Sequence, residues 1–171
     1  MRQTPTEQYH PQPDGEVSTW LASALPHPEE ARAAWRHGLR PPMIPMGTLF
    51  DAIRMPEQLV YAATGHDAAA PYSIATALSR FGLGPVIRTY DHWYYALVPP
   101  QTAAHWTSPH AVCRSSGAWM PVPAVNRTTP DHAVHWTIPP ARARHLGRPG
   151  VVVALLERGD AALEDASAGT E

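Results

Sequence analysis

There is no lysine in this chain. All 13 basic residues among its 171 are arginine. That absence excludes a Schiff-base mechanism and the P-loop lysine that reaches nucleotide phosphates. Arg and Ala in place of Lys and Asn are the bias of a high-GC genome. Charge is scarce as well, at 16% of residues, and the net charge is −2. Nothing in that balance favours strong, non-specific binding to nucleic acid. Cysteine is nearly absent. Cys113 stands alone, so it forms no intramolecular disulfide and fits a reducing compartment. It falls within an apolar strand candidate, where a buried structural thiol and a nucleophile are both open readings. No apolar run approaches membrane-spanning length. The opening MRQTPTEQYHPQPDG has no apolar core of the signal-peptide kind, so a cytoplasmic location is expected.

Apolar residues make up 44% of the chain, enough for one globular domain with its own core. Residues 1–15, polar and proline-containing, are expected to be a disordered arm. Residues 16–158 are expected to form a single α+β domain. The acidic, small-residue stretch 159–171 is expected to be a disordered tail.

Helices are expected over 17–25, over 28–37 with Pro28 in the first turn and Gly38 as the stop, over 56–63, and over 72–81 with Gly82 as the stop. Strands are expected over 47–54, 86–89, 93–98, 110–114, 117–122 and 134–138. Two hairpins follow from these. One turns at Tyr90-Asp91-His92 and the other at Ser115-Ser116-Gly117. The segment VVVALLERG after Pro149 could be strand or helix, and its Pro start and Leu-Leu-Glu-Arg-Gly end favour helix. The class is α+β, a mixed and mostly antiparallel sheet with helices packed on one side.

The ten histidines show no metal-ligand spacing on a helix. His132 and His135 are three apart in a segment expected to be extended. The strand aromatics Trp93, Tyr94, Tyr95, Trp106, Trp119 and Trp136 suit a sheet core or a base-stacking platform. The polar groups left near the turns are Asp51, Asp91, His92, Arg114, Ser115 and Ser116. An arginine beside hydroxyls at a turn can hold a phosphate through its guanidinium fork and backbone N–H groups, and His92 can add a donor. The same residues also make an ordinary polar hairpin.

GTLFDAIRMP, YDHWYYALVPP, CRSSGAWMPVP and HWTIPP, in that order over residues 47–140, resemble the bifunctional primase–polymerase (prim-pol) domain of the archaeo-eukaryotic primase superfamily, in an actinobacterial type. That family has a strand with paired acids, a histidine hairpin and an arginine–glycine strand. The resemblance puts His92 in the histidine position, and Arg114, Gly117 and Trp119 on the arginine strand. It implies a nucleotide or nucleic-acid phosphate held by His92, Arg114, Ser115 and Ser116. Asp51 matches one metal-binding acid, but Ile53 stands where its partner belongs, and Val112 or Cys113 where the later acid belongs. Two-metal chemistry needs carboxylates to bridge Mg or Mn ions, so the resemblance implies lost polymerase activity. The expected function is a non-catalytic binding or regulatory protein. The alternatives are a nucleotidyltransferase with unusual metal ligands, and a protein-interaction module with a vestigial pocket.

Overall fold

Period-two alternation decides the centre of the molecule. The computed structural model describes residues 15–38 and 40–169. Its elements are α1 (Glu16–Ala22), α2 (Pro28–His37), β1 (Met43–Pro45), β2 (Asp51–Pro56), α3 (Glu57–Thr64), α4 (Pro71–Phe81), β3 (Val86–Arg88), β4 (Trp93–Val98), a 3₁₀ turn (Thr102–His105), β5 (Val112–Arg114), β6 (Trp119–Pro121), β7 (His135–Ile138) and α5 (Pro149–Ala168). Five strands form one sheet in the order β5-β2-β4-β3-β7, and β1 and β6 form a two-stranded ribbon. Every pairing is antiparallel, so the sheet is not mixed, and the α+β class stands.

Successive side chains on a strand point to opposite faces, and each face of the large sheet has its own core. Ala52, Ile87, Leu97 and Trp136 pack with α1, α2 and the ribbon, against Leu21, Trp35, Ile44 and Phe50. Ile53, Met55, Tyr94, Ala96 and Val98 pack with α3, α4 and α5. Helices therefore cover both faces rather than one. The ribbon is separate for a chemical reason. Pro42, Pro45, Pro121 and Pro123 lack the N–H that a central strand must donate.

The turn Ser115–Gly117 is not a hairpin. β5 pairs with β2, setting Ala52 against Arg114 and Ile53 against Cys113. β6 pairs with β1. The turn, closed by Ala118 N–H donating to the Ser115 carbonyl at 3.0 Å, hands the chain from one sheet to the other. The strand expected over 47–54 begins only at Asp51, because Gly47 turns there with φ 98°. The hairpin around Tyr90-Asp91-His92 is present, with β3 and β4 antiparallel.

Residues 1–14 of the expected arm lie outside the described residues. The expected disordered tail is helical as far as Ala168. Its Ala, Leu and Glu residues are strong helix formers, and they continue a helix that the body has already nucleated. α5 lies against α3 so closely that a Cβ on Gly159 would overlap the Leu59 carbonyl oxygen. The loop entering α5 runs beside β4, where Gly147 N–H donates to the Leu97 carbonyl at 2.8 Å. There Gly84 and Gly147 meet back to back, and a Cβ on Gly84 would stand 2.6 Å from Gly147 backbone. Among the described residues no helix is long and apolar enough to cross a membrane.

Candidate functional site

Asp51 is fully buried at the start of β2. Ser115 Oγ donates to its Oδ1 at 2.7 Å, and Ala103 N–H donates to its Oδ2 at 2.9 Å. The carboxylate thus ties the Ser115 turn and the 3₁₀ turn to the sheet. Among the described residues no three His, Cys, Asp or Glu side chains gather as a metal site. Ser115 is engaged by Asp51. Ser116 is exposed and lies against Gly47.

His92 and Arg114 are not brought together. Arg114 stands opposite Ala52, and Ala52 opposite Leu97. Leu97 is five residues along the chain from His92, roughly 16 Å at about 3.3 Å per residue. They also serve different faces. Arg114 shares the Ala52 face. His92, in the left-handed region at φ 66°, turns its Nδ1 to within 3.6 Å of Glu57 Oε2 on the α3 side. Asp91 accepts a hydrogen bond from Thr89 Oγ1 within the turn.

What His92 approaches is a polar cluster that the sequence did not single out. Arg88 Nη2 donates to Glu57 Oε2 at 2.6 Å, and the Tyr61 hydroxyl donates to the same oxygen at 3.0 Å. The Arg88 guanidinium lies 4.4 Å over the Tyr94 ring, and Tyr61 meets Tyr94 edge-on at 6.3 Å. Burial alone would raise the Glu57 pKa, but the hydrogen bonds from Arg88 and Tyr61 outweigh it and hold the carboxyl below its ordinary range. Glu57 and Tyr61 sit one helical turn apart, a visible local signal. Their partner Arg88 lies 31 residues from Glu57, and nothing local announces it. Arg88 Nη1 is buried without a hydrogen-bond partner, and the other contacts tie α3 to the sheet, so the arrangement reads as an anchor for α3.

A cleft of about 520 Å³ opens on the other face, between α2, the ribbon and the loop before β7. Its walls are apolar: Trp35, Met43, Pro121, Pro123, Ala124 and Val134. Its polar groups are Arg40, Arg127, His132 and, from the β3–β4 turn, Tyr90. Among the described residues no Asp or Glu lines it. The walls are braced from behind. Trp35 Nε1 donates to the Val122 carbonyl at 2.9 Å, and Trp136 Nε1 to the Pro123 carbonyl at 3.1 Å. Gly38 ends α2 in the left-handed conformation, which few residues other than glycine adopt readily. Its carbonyl accepts from Arg127 Nη2 at 3.2 Å. Arg127 Nη1 lies 3.5 Å from His132 Nδ1. Because arginine has no lone pair to offer, this His132 nitrogen is the acceptor. Tyr90 is 68% exposed and Met43 48%, so both rim the mouth with surface that a ligand can cover.

No family model, no curated protein and no solved structure matches this chain. What the cleft can do therefore follows from its chemistry. A ligand-sized concavity, apolar with a few convergent polar groups, is the usual form of a small-molecule site. Asp131 lies 3.9 Å from His132 Nε2, while no Asp or Glu among the described lining residues faces Arg40 and Arg127, so the two guanidiniums select an anion. Among the described residues no Ser, Thr, Cys or carboxylate lines the cleft. The sequence reading missed it because its residues come from four separate stretches, between Ala34 and Val134.

Proposed function

We propose that this is a non-catalytic binding protein whose cleft holds a nucleotide, with the base against Tyr90, Met43 and the prolines and the phosphate toward Arg40, Arg127 and His132. The observation that carries this is the absence of any carboxylate among the described residues lining an apolar cleft that Arg40, Arg127 and His132 enter. A nucleotide joins a flat ring to an anion, and the cleft offers a surface for each. The prim-pol resemblance would imply the same ligand class, but the proposal does not rest on it. A nucleotidyltransferase would need converging carboxylates, and the one buried acid among the described residues, Asp51, is held by Ser115 and Ala103. We place the protein in the cytoplasm. Its single thiol fits that setting, since burial and then the Asp51 charge push Cys113 up to about 12 and keep it protonated.

The test is thermal unfolding with purine and pyrimidine nucleotides and with inorganic phosphate. A ligand at about 100 times its Kd adds about 2.7 kcal/mol. At this size that is a rise of roughly 5–10 °C. Arg40→Ala and Tyr90→Ala should remove most of the rise while leaving the unliganded melt nearly unchanged, because both side chains are exposed. His92→Ala and Arg114→Ala should leave the rise intact. No shift with any nucleotide at millimolar concentration would overturn the proposal. So would a shift lost on Arg114→Ala and kept on Arg40→Ala.

A further inference from the structure

The far end of α5 is an unfinished surface. Val152, Leu155, Leu156 and Gly159 form the stripe by which the helix packs on the body, and no described residue after Gly159 is buried. Helical spacing carries that stripe onward to Ala162 and Leu163, and Leu163 is 39% exposed. The flanking charges there are all of one sign. Residues 159–169 hold Asp160, Glu164 and Asp165 and no arginine. Asp160 faces His110 at 3.7 Å on the body, while Glu164 and Asp165 stand in solvent.

The complementary surface is on the same molecule. A groove of about 590 Å³ runs between α4 and α5, with Ala77, Phe81 and Leu155 along its floor. His66, Arg80 and Arg158 line it, and among the described residues no Asp or Glu does. Its α4 wall spans Tyr72 to Phe81, which is about 15 Å of helix. The projecting residues 161–169 span about 13 Å. The tail cannot enter the groove of its own chain, because it continues straight out of α5, one wall of that groove.

We propose that this groove receives the α5 tail of a second copy of the chain, so that two molecules pair through antiparallel α5 helices. Groove and tail adjoin on one helix, so a single two-fold operation fills both grooves and closes the assembly at two. Leu163 of each copy covers the apolar floor, and Glu164 and Asp165 meet Arg80 and Arg158 of the other. The pair forms on the opposite face of the sheet from the cleft and does not depend on any ligand there.

The experiment is the mass of the full chain by light scattering and sedimentation at about 100 µM, since association is concentration-dependent. A dimer is expected at low salt and should weaken at about 1 M salt, where the Debye length is about 3 Å. Arg80→Glu alone, and Glu164→Arg with Asp165→Arg, should each weaken pairing at least tenfold. Combining all three should restore it. Leu163→Glu should weaken it without lowering the melting temperature of the monomer. All four positions are exposed, and circular dichroism checks that each variant folds. A monomer at low salt would overturn the proposal. A dimer indifferent to either reversal would do the same, as would folded single reversals that the combined variant fails to rescue.

Discussion

Asp51 receives one hydrogen bond on each carboxylate oxygen, from Ser115 and from the Ala103 backbone. In the sequence it is an acid flanked by apolar residues, and the same pattern serves a metal ligand or an anchor. The deciding partners lie 52 and 64 residues away, so the sequence leaves the choice open. Arg88 and Glu57 are hidden for the same reason. His135 gives a prediction at this scale. It is buried in β7, and its Nδ1 donates to the His132 carbonyl at 2.8 Å. Burial, with smaller pulls from the Arg88 and His132 charges, lowers its pKa below 6.5. The unfolded chain therefore binds more protons than the folded one between the folded pKa and about 6.5. The stability due to neutral His135 is complete above that upper limit and is lost as pH falls below it. His145 shifts in the same direction, through burial and Arg142. Urea unfolding should show lower stability at pH 5.5 than at pH 7.5, and His135→Gln should make that difference smaller. An unchanged difference would assign the effect elsewhere.

The helices were legible because their ends are written locally. Pro28 and Gly38 bound α2, and Pro71 and Gly82 bound α4, through fixed φ at one end and left-handed freedom at the other. The β3–β4 hairpin was legible for a similar reason, since its turn is short. The fate of β5 and β6 was not. Two strands around a Ser-Ser-Gly turn look like a hairpin until prolines send one of them to a different partner, and that partner, β1, lies far back in the chain. α5 is half legible, because a run of small acidic residues suits a solvated tail as well as a helix. Its contact with α3 yields a prediction that runs against propensity. Alanine is favoured over glycine inside a helix by about 1 kcal/mol. Gly159→Ala should nevertheless destabilise the protein by about 1–3 kcal/mol, the usual scale of overpacking, because the new methyl overlaps the Leu59 carbonyl. Denaturant midpoints measure this, and a stabilised Gly159→Ala would mean that α5 can shift freely on α3.

The α+β class was readable from the order of apolar runs, but the layering was not. Which face a strand residue serves depends on register, and register is set by pairing. As a result the two cores are bound to each other. Leu97 belongs to one and its neighbours Ala96 and Val98 to the other, so neither cluster can come apart while β4 stays ordered. Unfolding should therefore be a single transition. With Trp106, which packs on the second core, replaced by Phe, Trp35 and Trp136 report on the first core by fluorescence, and far-UV ellipticity reports chiefly on α3, α4 and α5. The two curves should coincide. Leu97→Ala should lower both together, at a cost of about 2–5 kcal/mol. Separate midpoints would show that the layers fold independently.

The meeting of Gly84 and Gly147 constrains how this chain can vary over time. Gly84 cannot gain a side chain unless the Gly147 backbone retreats, and a Cβ on Gly147 would press on the Leu97 carbonyl at 3.2 Å. No residue is smaller than glycine, so a change at Gly84 has no compensating change at Gly147. The two glycines, 63 positions apart, should outlast the loops, the cleft and the α5 tail as sequences diverge. They form a fingerprint by which distant kin of this chain can be sought when overall similarity has faded.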